Sequence, residues 1–263
     1  MAPHIAHLSI GIAAAAGPDV ARTAARAAED AGLHALWVND TPAADALELL
    51  AAAAAVTDRL VLATGVLPVD RRPADEVAAR VAALGLPVDR LMLGVGSGQL
   101  RRGALARVEA DAARLREDPA APVVVGALGP RMRSLGAERA DGLLLSWLTP
   151  EIAARQTAEA HALSPRAHVA LYARTAVDVD AVPRMRREAE RYASFPAYTA
   201  HFARLGVDPG DTVITPDRLA GQVAEYRAGV DELVLRAITA ADEPLAIARF
   251  VESVAGAMIG PWS

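Results

Sequence analysis

Three short stretches hold residue types able to do chemistry where extended segments end: Asn39-Asp40-Thr41, Gly94-Val95-Gly96-Ser97-Gly98-Gln99 and Ala127-Leu128-Gly129-Pro130. In the last, Gly129-Pro130 opens a helical pattern, and proline suits a first helical turn. The unbonded N–H groups there, with the positive end of the helix dipole, form a phosphate site. Arg131 and Arg133 flank that turn. They can add charge-assisted contacts or simply sit in solvent. The glycine run is spaced G-x-G-x-G, not the G-x-G-x-x-G of a dinucleotide fingerprint. Stripped of side chains, it lets a flat or phosphorylated ligand approach the backbone, the plain alternative being a tight turn. Asp40 can accept a proton or anchor a polar ring edge, or it can bond local amides as loop aspartates do.

Absences narrow the chemistry further. All 27 basic residues are arginine, and there is no cysteine. Schiff-base, pyridoxal-phosphate, thiolate and iron–sulfur chemistries are thereby excluded. The six histidines are scattered at 4, 7, 34, 161, 168 and 201, without an H-E-x-x-H pair, so no metal site is expected. No G-x-S-x-G elbow offers a hydrolase nucleophile. Redox chemistry here would come from a bound organic cofactor.

The elements that position these stretches follow a repeated grammar. The chain has 263 residues, 53% of them hydrophobic, and a net charge of −5. That supports a folded domain and argues against a nucleic-acid surface. No apolar run reaches the roughly 18–20 residues a membrane span needs. The apolar start, Met1–Ala16, has no basic residue before Arg22 other than histidine and reads as a buried strand, not a secretory signal. A cytoplasmic protein is expected. Strands are predicted at Ile5–Ile12, Ala35–Val38, Leu60–Val66, Leu91–Val95, Val123–Ala127, Gly142–Trp147, Val169–Val177 and Glu232–Arg236. Helices are predicted at Val20–Ala31 (capped by Asp19), Asp45–Val56, Ala74–Leu84, Leu100–Leu115, Pro130–Gly136, Ile152–Leu163 and Pro244–Ala255, with a long helical excursion from Val182 to Gly229. Eight β-α units of this length predict one domain over 1–263, a (β/α)8 TIM barrel with its chemistry at the strand ends. The 62 alanines read as helix filler on the outer ring. Tyr192, Phe195, Tyr198 and Phe202 form an aromatic stripe in the excursion, read first as packing or a subunit interface and second as a roof over the barrel mouth.

Ala28–Asp40 (AEDAGLHALWVND), Leu62–Pro68 (LATGVLP), Arg90–Gly98 (RLMLGVGSG) and Val123–Trp147 resemble the luciferase-like flavin-dependent oxidoreductases, most of all the branch using the deazaflavin coenzyme F420. The resemblance implies a barrel whose C-terminal face holds the flavin-like ring, a hydride passed between F420 and a small organic substrate, and a homodimer. It places a non-prolyl cis peptide at Gly65–Val66 after Thr64, against the ring. It carries the ring-contacting aspartate onto Asp40, the strand-four loop onto Ser97 and Gly98, the phosphate turn onto Ala127, Leu128, Gly129 and Pro130, and a pocket wall onto Ser146 and Trp147. Arg131, Arg133 and Arg174 would meet the cofactor's acidic tail. Two departures stand out. Thr41 and Gln99 occupy positions where sugar-phosphate- or alcohol-oxidising members carry histidine and glutamate, leaving Asp40 as the candidate proton handler, and the connection between strands four and five is short. An FMN-dependent monooxygenase fed by a separate flavin reductase, and a flavin-binding barrel without turnover, are the rival readings.

Overall fold

The computed structural model describes residues 6–259. The strands are β1 (His7–Ala13), β2 (Ala35–Asn39), β3 (Val61–Thr64), β4 (Leu91–Gly96), β5 (Val123–Gly126), β6 (Gly142–Ser146), β7 (His168–Thr175) and β8 (Glu232–Ala237). All run parallel in chain order, and the pairs Leu62 with Leu91 and Ala63 with Met92 join β3 to β4 and close the ring. Helices α1 (Pro18–Asp30), α2 (Ala46–Ala54), α3 (Ala74–Ala83), α4 (Ala104–Glu117), α5 (Pro130–Arg139), α6 (Pro150–Leu163), α7 (Val182–Ala193), α8 (Pro196–Leu205), α9 (Leu219–Arg227) and α10 (Pro244–Ile259) surround it. This is the expected (β/α)8 barrel. No helix among the described residues is long and apolar enough to cross a membrane.

The strands read as unbroken apolar runs because both faces are buried. On β2, Ala35 and Trp37 point into the barrel while Leu36 and Val38 meet the helices. On β7, Ala170 and Tyr172 point in while Leu171 and Ala173 point out. Trp37 and Tyr172 take up so much of the interior that their neighbours are small: a Cβ on Gly11 would stand 2.4 Å from the Tyr172 hydroxyl. Beneath them Glu232 is wholly buried, accepting from Trp37 Nε1 at 2.6 Å and lying 2.8 Å from His168 Nε2.

Several boundaries differ from expectation for identifiable reasons. Ile5, the predicted start of the first strand, lies outside the described residues. Gly17, not Asp19, caps α1, and Asp19 instead pairs with Arg22 at 2.7 Å in the first turn. The chain leaves β3 after Thr64, so the predicted run to Val66 is broken; Leu67–Pro68 then rejoins the sheet beside β4. The predicted helix from Leu100 starts only at Ala104, after Gly103 in the left-handed region at φ +67°. α5 runs past Gly136, where the helix lies so close to the sheet that a Cβ would stand 2.3 Å from Leu143. The alanines are more than filler: Ala21, Ala24, Ala25 and Ala28 form the fully buried face of α1. The helical excursion resolves into α7, α8 and α9 with short 3-10 turns between them.

Candidate functional site

The site is built on the break after β3. Thr64 is buried, its hydroxyl donating to the Gly94 carbonyl at 3.0 Å and accepting from the Gly94 N–H at 2.9 Å. The following Gly65–Val66 peptide is cis. Val66 lies against β4 and β5: a Cβ on Gly96 or Gly126 would come within 2.7 and 2.9 Å of its methyls, and one on Gly94 within 2.0 Å of the Thr64 carbonyl. The glycine run makes space for the neighbouring strand, and Gly96, Ser97 and Gly98 also line the cleft that opens above it. Gly98 sits at φ +58° against the Asp70 carboxylate, which accepts from the Gln99 N–H at 2.8 Å. Asn39 completes the bulge, donating to the Gly65 carbonyl and accepting from the Tyr172 hydroxyl at 2.5 Å. Burial pushes the Tyr172 phenol up, so it remains a proton donor.

A cleft of about 510 Å³ opens over this bulge at the C-terminal ends of the strands. That volume suits a ligand the size of a nucleotide cofactor. Nine of the twelve positions singled out from the sequence line it: Asp40, Gly65, Val66, Ser97, Gly98, Ala127, Leu128, Gly129 and Ser146. Thr64, Pro130 and Trp147 do not. Thr64 is spent on Gly94, Trp147 is buried under other side chains, and Pro130 faces a small separate hollow with Arg133 and Glu159.

The charges differ from the sequence reading in detail. Asp40's side chain is fully buried, 3.1 Å from Arg71, 3.6 Å from Arg72 and 3.3 Å from the Ala46 N–H. Burial pushes its carboxyl up, while the Ala46 N–H and the two guanidiniums pull the other way. Its oxygens are thus engaged by protein donors, and Arg71 lines the cleft beside it. Of the three arginines expected at an acidic tail, only Arg174 lines the cleft. Arg133 pairs with Glu159 at 2.8 Å, and Arg131 lies exposed outside it. Arg71 and Arg204 join Arg174 instead. Their long-range placement left no sequence signal.

The aromatic stripe does both jobs considered for it within the chain. Phe202 packs edge-on to Trp147 in a buried cluster with Met185 and Ile238, while Tyr192 and Tyr198 line the cleft as its roof. The roof is tied down by His201. Its Nε2 lies 3.1 Å from the Trp147 carbonyl, and its Nδ1 3.0 Å from Arg204, which donates to the Leu128 carbonyl at 2.6 Å. Burial lowers the His201 pKa. The ring is neutral at pH 7, with Nε2 at the Trp147 carbonyl and Nδ1 between Arg204 and the Leu128 carbonyl at 3.2 Å.

Residues 5–117 match the luciferase-like monooxygenase family model. No protein of curated function matches the chain. Among solved structures, an F420-dependent secondary alcohol dehydrogenase bound to an F420–acetone adduct shares the fold with a TM-score of 0.72 at 15% identity, covering 95% of this chain and 99% of its own. The coenzyme F420-dependent tetrahydromethanopterin reductase of Methanopyrus kandleri gives 0.66 at 17% identity, covering 95% and 98%. The oxygenating constituent of 3,6-diketocamphane monooxygenase from Pseudomonas putida, in complex with FMN, gives 0.63 at 14% identity, covering 94% and 97%. Residues 5–117 thus resemble the luciferase-like monooxygenases, and the whole chain shares its fold with F420- and FMN-dependent proteins alike.

Proposed function

We propose that the chain is a flavin-dependent monooxygenase that binds reduced FMN in the cleft and inserts one oxygen atom into an organic substrate. Reduced FMN supplies the two electrons, and substrate, O2 and FMNH2 become oxygenated product, FMN and water. The observation that carries the reading is the cleft itself: a Val66 floor beside an uncapped helix start, with Arg71 and Arg204 on its walls. This donor set fits a flat ring bearing one phosphate.

In this reading the chain supplies binding, orientation and exclusion of water. The Gly65–Val66 bulge, held by Asn39 and Tyr172, backs the ring. The turn at Leu128 and Gly129, with the first N–H groups of α5, holds the phosphate. Tyr192 and Tyr198 cover the reacting face. Asp40 orients Arg71 at the rim. A chemistry whose electrons and oxygen come from cofactor and O2 makes little demand on side-chain proton carriers, which suits Thr41 and Gln99 where relatives of other specificity carry histidine and glutamate. A separate reductase would deliver the reduced flavin.

A second reading, hydride transfer with F420, is favoured by the likeness to the F420-dependent alcohol dehydrogenase. Titration of the purified protein with FMN and with F420, followed by cofactor fluorescence, separates the two. FMN is expected to bind at least tenfold more tightly; tight F420 binding without FMN binding turns the proposal over to the second reading. Oxygen uptake with reduced FMN and a substrate panel then separates enzyme from carrier. Arg204→Ala tests the phosphate end. Loss of one charge-assisted contact at the rim is expected to raise the FMN Kd about tenfold, roughly 1.4 kcal/mol, with a small fall in melting temperature from the lost bonds to Leu128 and His201.

A further inference from the structure

We propose that the substrate is an organic anion, an apolar body carrying a single carboxylate-type group, and that Arg174 reads its charge; the inference rests on the flavin-site reading above. Arg174 is 4% exposed and lines the cleft at the end of β7. Its guanidinium carbon lies 3.9 Å from the ring centre of Trp147, 4.9 Å from that of Tyr192 and 5.6 Å from that of Tyr172. One terminal nitrogen donates to Ser146 Oγ, and Nε points to Glu188 at 3.4 Å. The other terminal nitrogen has no protein acceptor among the described residues. A planar cation held flat against an aromatic cage, with donors left over at its edge, is arranged to receive two oxygens of a carboxylate side by side.

The charge count points the same way. Glu188 is the carboxylate that serves this end of the barrel wall, and it is shared: Arg174 lies 3.4 Å from one oxygen and Arg236 3.9 Å from the other. Both guanidiniums are buried, at 4% and 8% exposure. Arg191 also acts on Glu188, and nearby Arg184 is paired with Asp242 at 2.5 Å. The cluster therefore holds at least one positive charge more than its carboxylate neutralises. A buried charge is costly without a partner, and the cleft is where a partner can enter.

Position separates this cation from the cofactor's phosphate. The phosphate turn lies after β5 and is served by α5 and Arg204, whereas Arg174 stands near the end of β7, with β6 between the two strands. Arg174 instead borders Tyr172, whose ring lies 3.6 Å from where a Cβ on Gly65 would stand. An anion bound there is one ring's width from the bulge that backs the flavin. The adjoining walls, Val66, Leu144, Tyr192, Ala197 and Tyr198, are apolar or aromatic and fit the substrate's body.

The test compares benzoate with its neutral isostere benzamide, using tryptophan fluorescence and calorimetry on the FMN-loaded protein, with FMN affinity measured in parallel. Wild type is expected to bind benzoate at least tenfold more tightly than benzamide. Arg174→Met is expected to abolish that preference while keeping the FMN Kd within threefold. Equal affinity for the two probes, or binding of neither, in wild type overturns the inference. So does a tenfold loss of FMN affinity in Arg174→Met, which assigns the arginine to the cofactor. Should Arg174→Met fail to fold, Ser146→Ala replaces it, with a three- to tenfold loss for benzoate and none for benzamide expected and an equal loss for both counting against. Wild type that binds no FMN yet still prefers benzoate refutes the cofactor reading alone.

Discussion

Gly94→Ala is expected to lower the melting temperature by about 6–12 °C and FMN affinity by at least tenfold. The added Cβ would stand 2.0 Å from the Thr64 carbonyl oxygen and 3.2 Å from its carbon. Both are backbone atoms of a paired strand, so no side chain can rotate away, and β3 and β4 must part. Overpacking of this kind costs about 1–3 kcal/mol, and a backbone clash falls at the upper end. For a chain of this length each kcal/mol moves the midpoint by roughly 2–4 °C. The two Thr64–Gly94 hydrogen bonds and the seat of Val66 are lost in the same movement, which is why binding suffers along with stability. Gly129→Ala is the control for stability, because nothing lies within 4 Å of its Cβ and its φ is −101°. Thermal melts and FMN titration of both variants decide the matter. An unchanged midpoint in Gly94→Ala would show that β3 and β4 can part without cost, and would sink the account of the bulge.

Glu232→Leu is expected to cost about 3–5 kcal/mol at pH 7, because it orphans the Trp37 N–H and the His168 ring together. The wild-type pH dependence follows from the same cluster. Burial works to raise the Glu232 carboxyl, but the His168 ring beside it holds it below its ordinary 4.5. Its stabilisation is complete above pH 4.5 and is lost as pH falls through the lowered value. Burial works to lower His168, but the Glu232 carboxylate carries it above 6.5. That contribution is complete below pH 6.5 and is lost as pH rises through the raised value. His34, stacked on His7 at 4.0 Å, is lowered by burial and subtracts stability on acidification below pH 6.5. Wild-type stability should therefore decline from pH 6.5 to 8.5. In Glu232→Gln, His168 loses its hydrogen-bonded anion and keeps only the more distant pull of Asp231 against burial, and the decline should weaken sharply. Urea unfolding across that range reads the slope directly, and parallel slopes in the two proteins would refute the assignment.

The barrel was legible because its signals are local. Apolar runs of four to eight residues recur eight times, with proline starts and glycine stops at several of the helices between them, and each reports on a neighbour within a few positions. The site was legible only where backbone makes it: the glycines after β4, the Gly129-Pro130 turn and, through family likeness, the Gly65–Val66 bond. Side chains that converge from distant strands left no mark. Tyr172 reaches Asn39 across 133 residues, and Glu232 reaches Trp37 across 195. Asp40 shows the limit most clearly. Its position at the cleft follows from strand order, but its carboxylate is turned by Arg71 and Arg72, two residues whose loop location said nothing about their aim.

The carbonyl of Leu128 belongs to the turn under the phosphate, yet its acceptor is engaged from above by Arg204 of α8, and His201 of the same helix grips the end of β6. Lifting α8 would free an oxygen and strip a cation from that turn at once. The cover and the turn therefore form one mechanical part, and on the proposed reading a chain with its roof raised would also hold its cofactor more weakly, so that flavin entry and roof closure would become a single event.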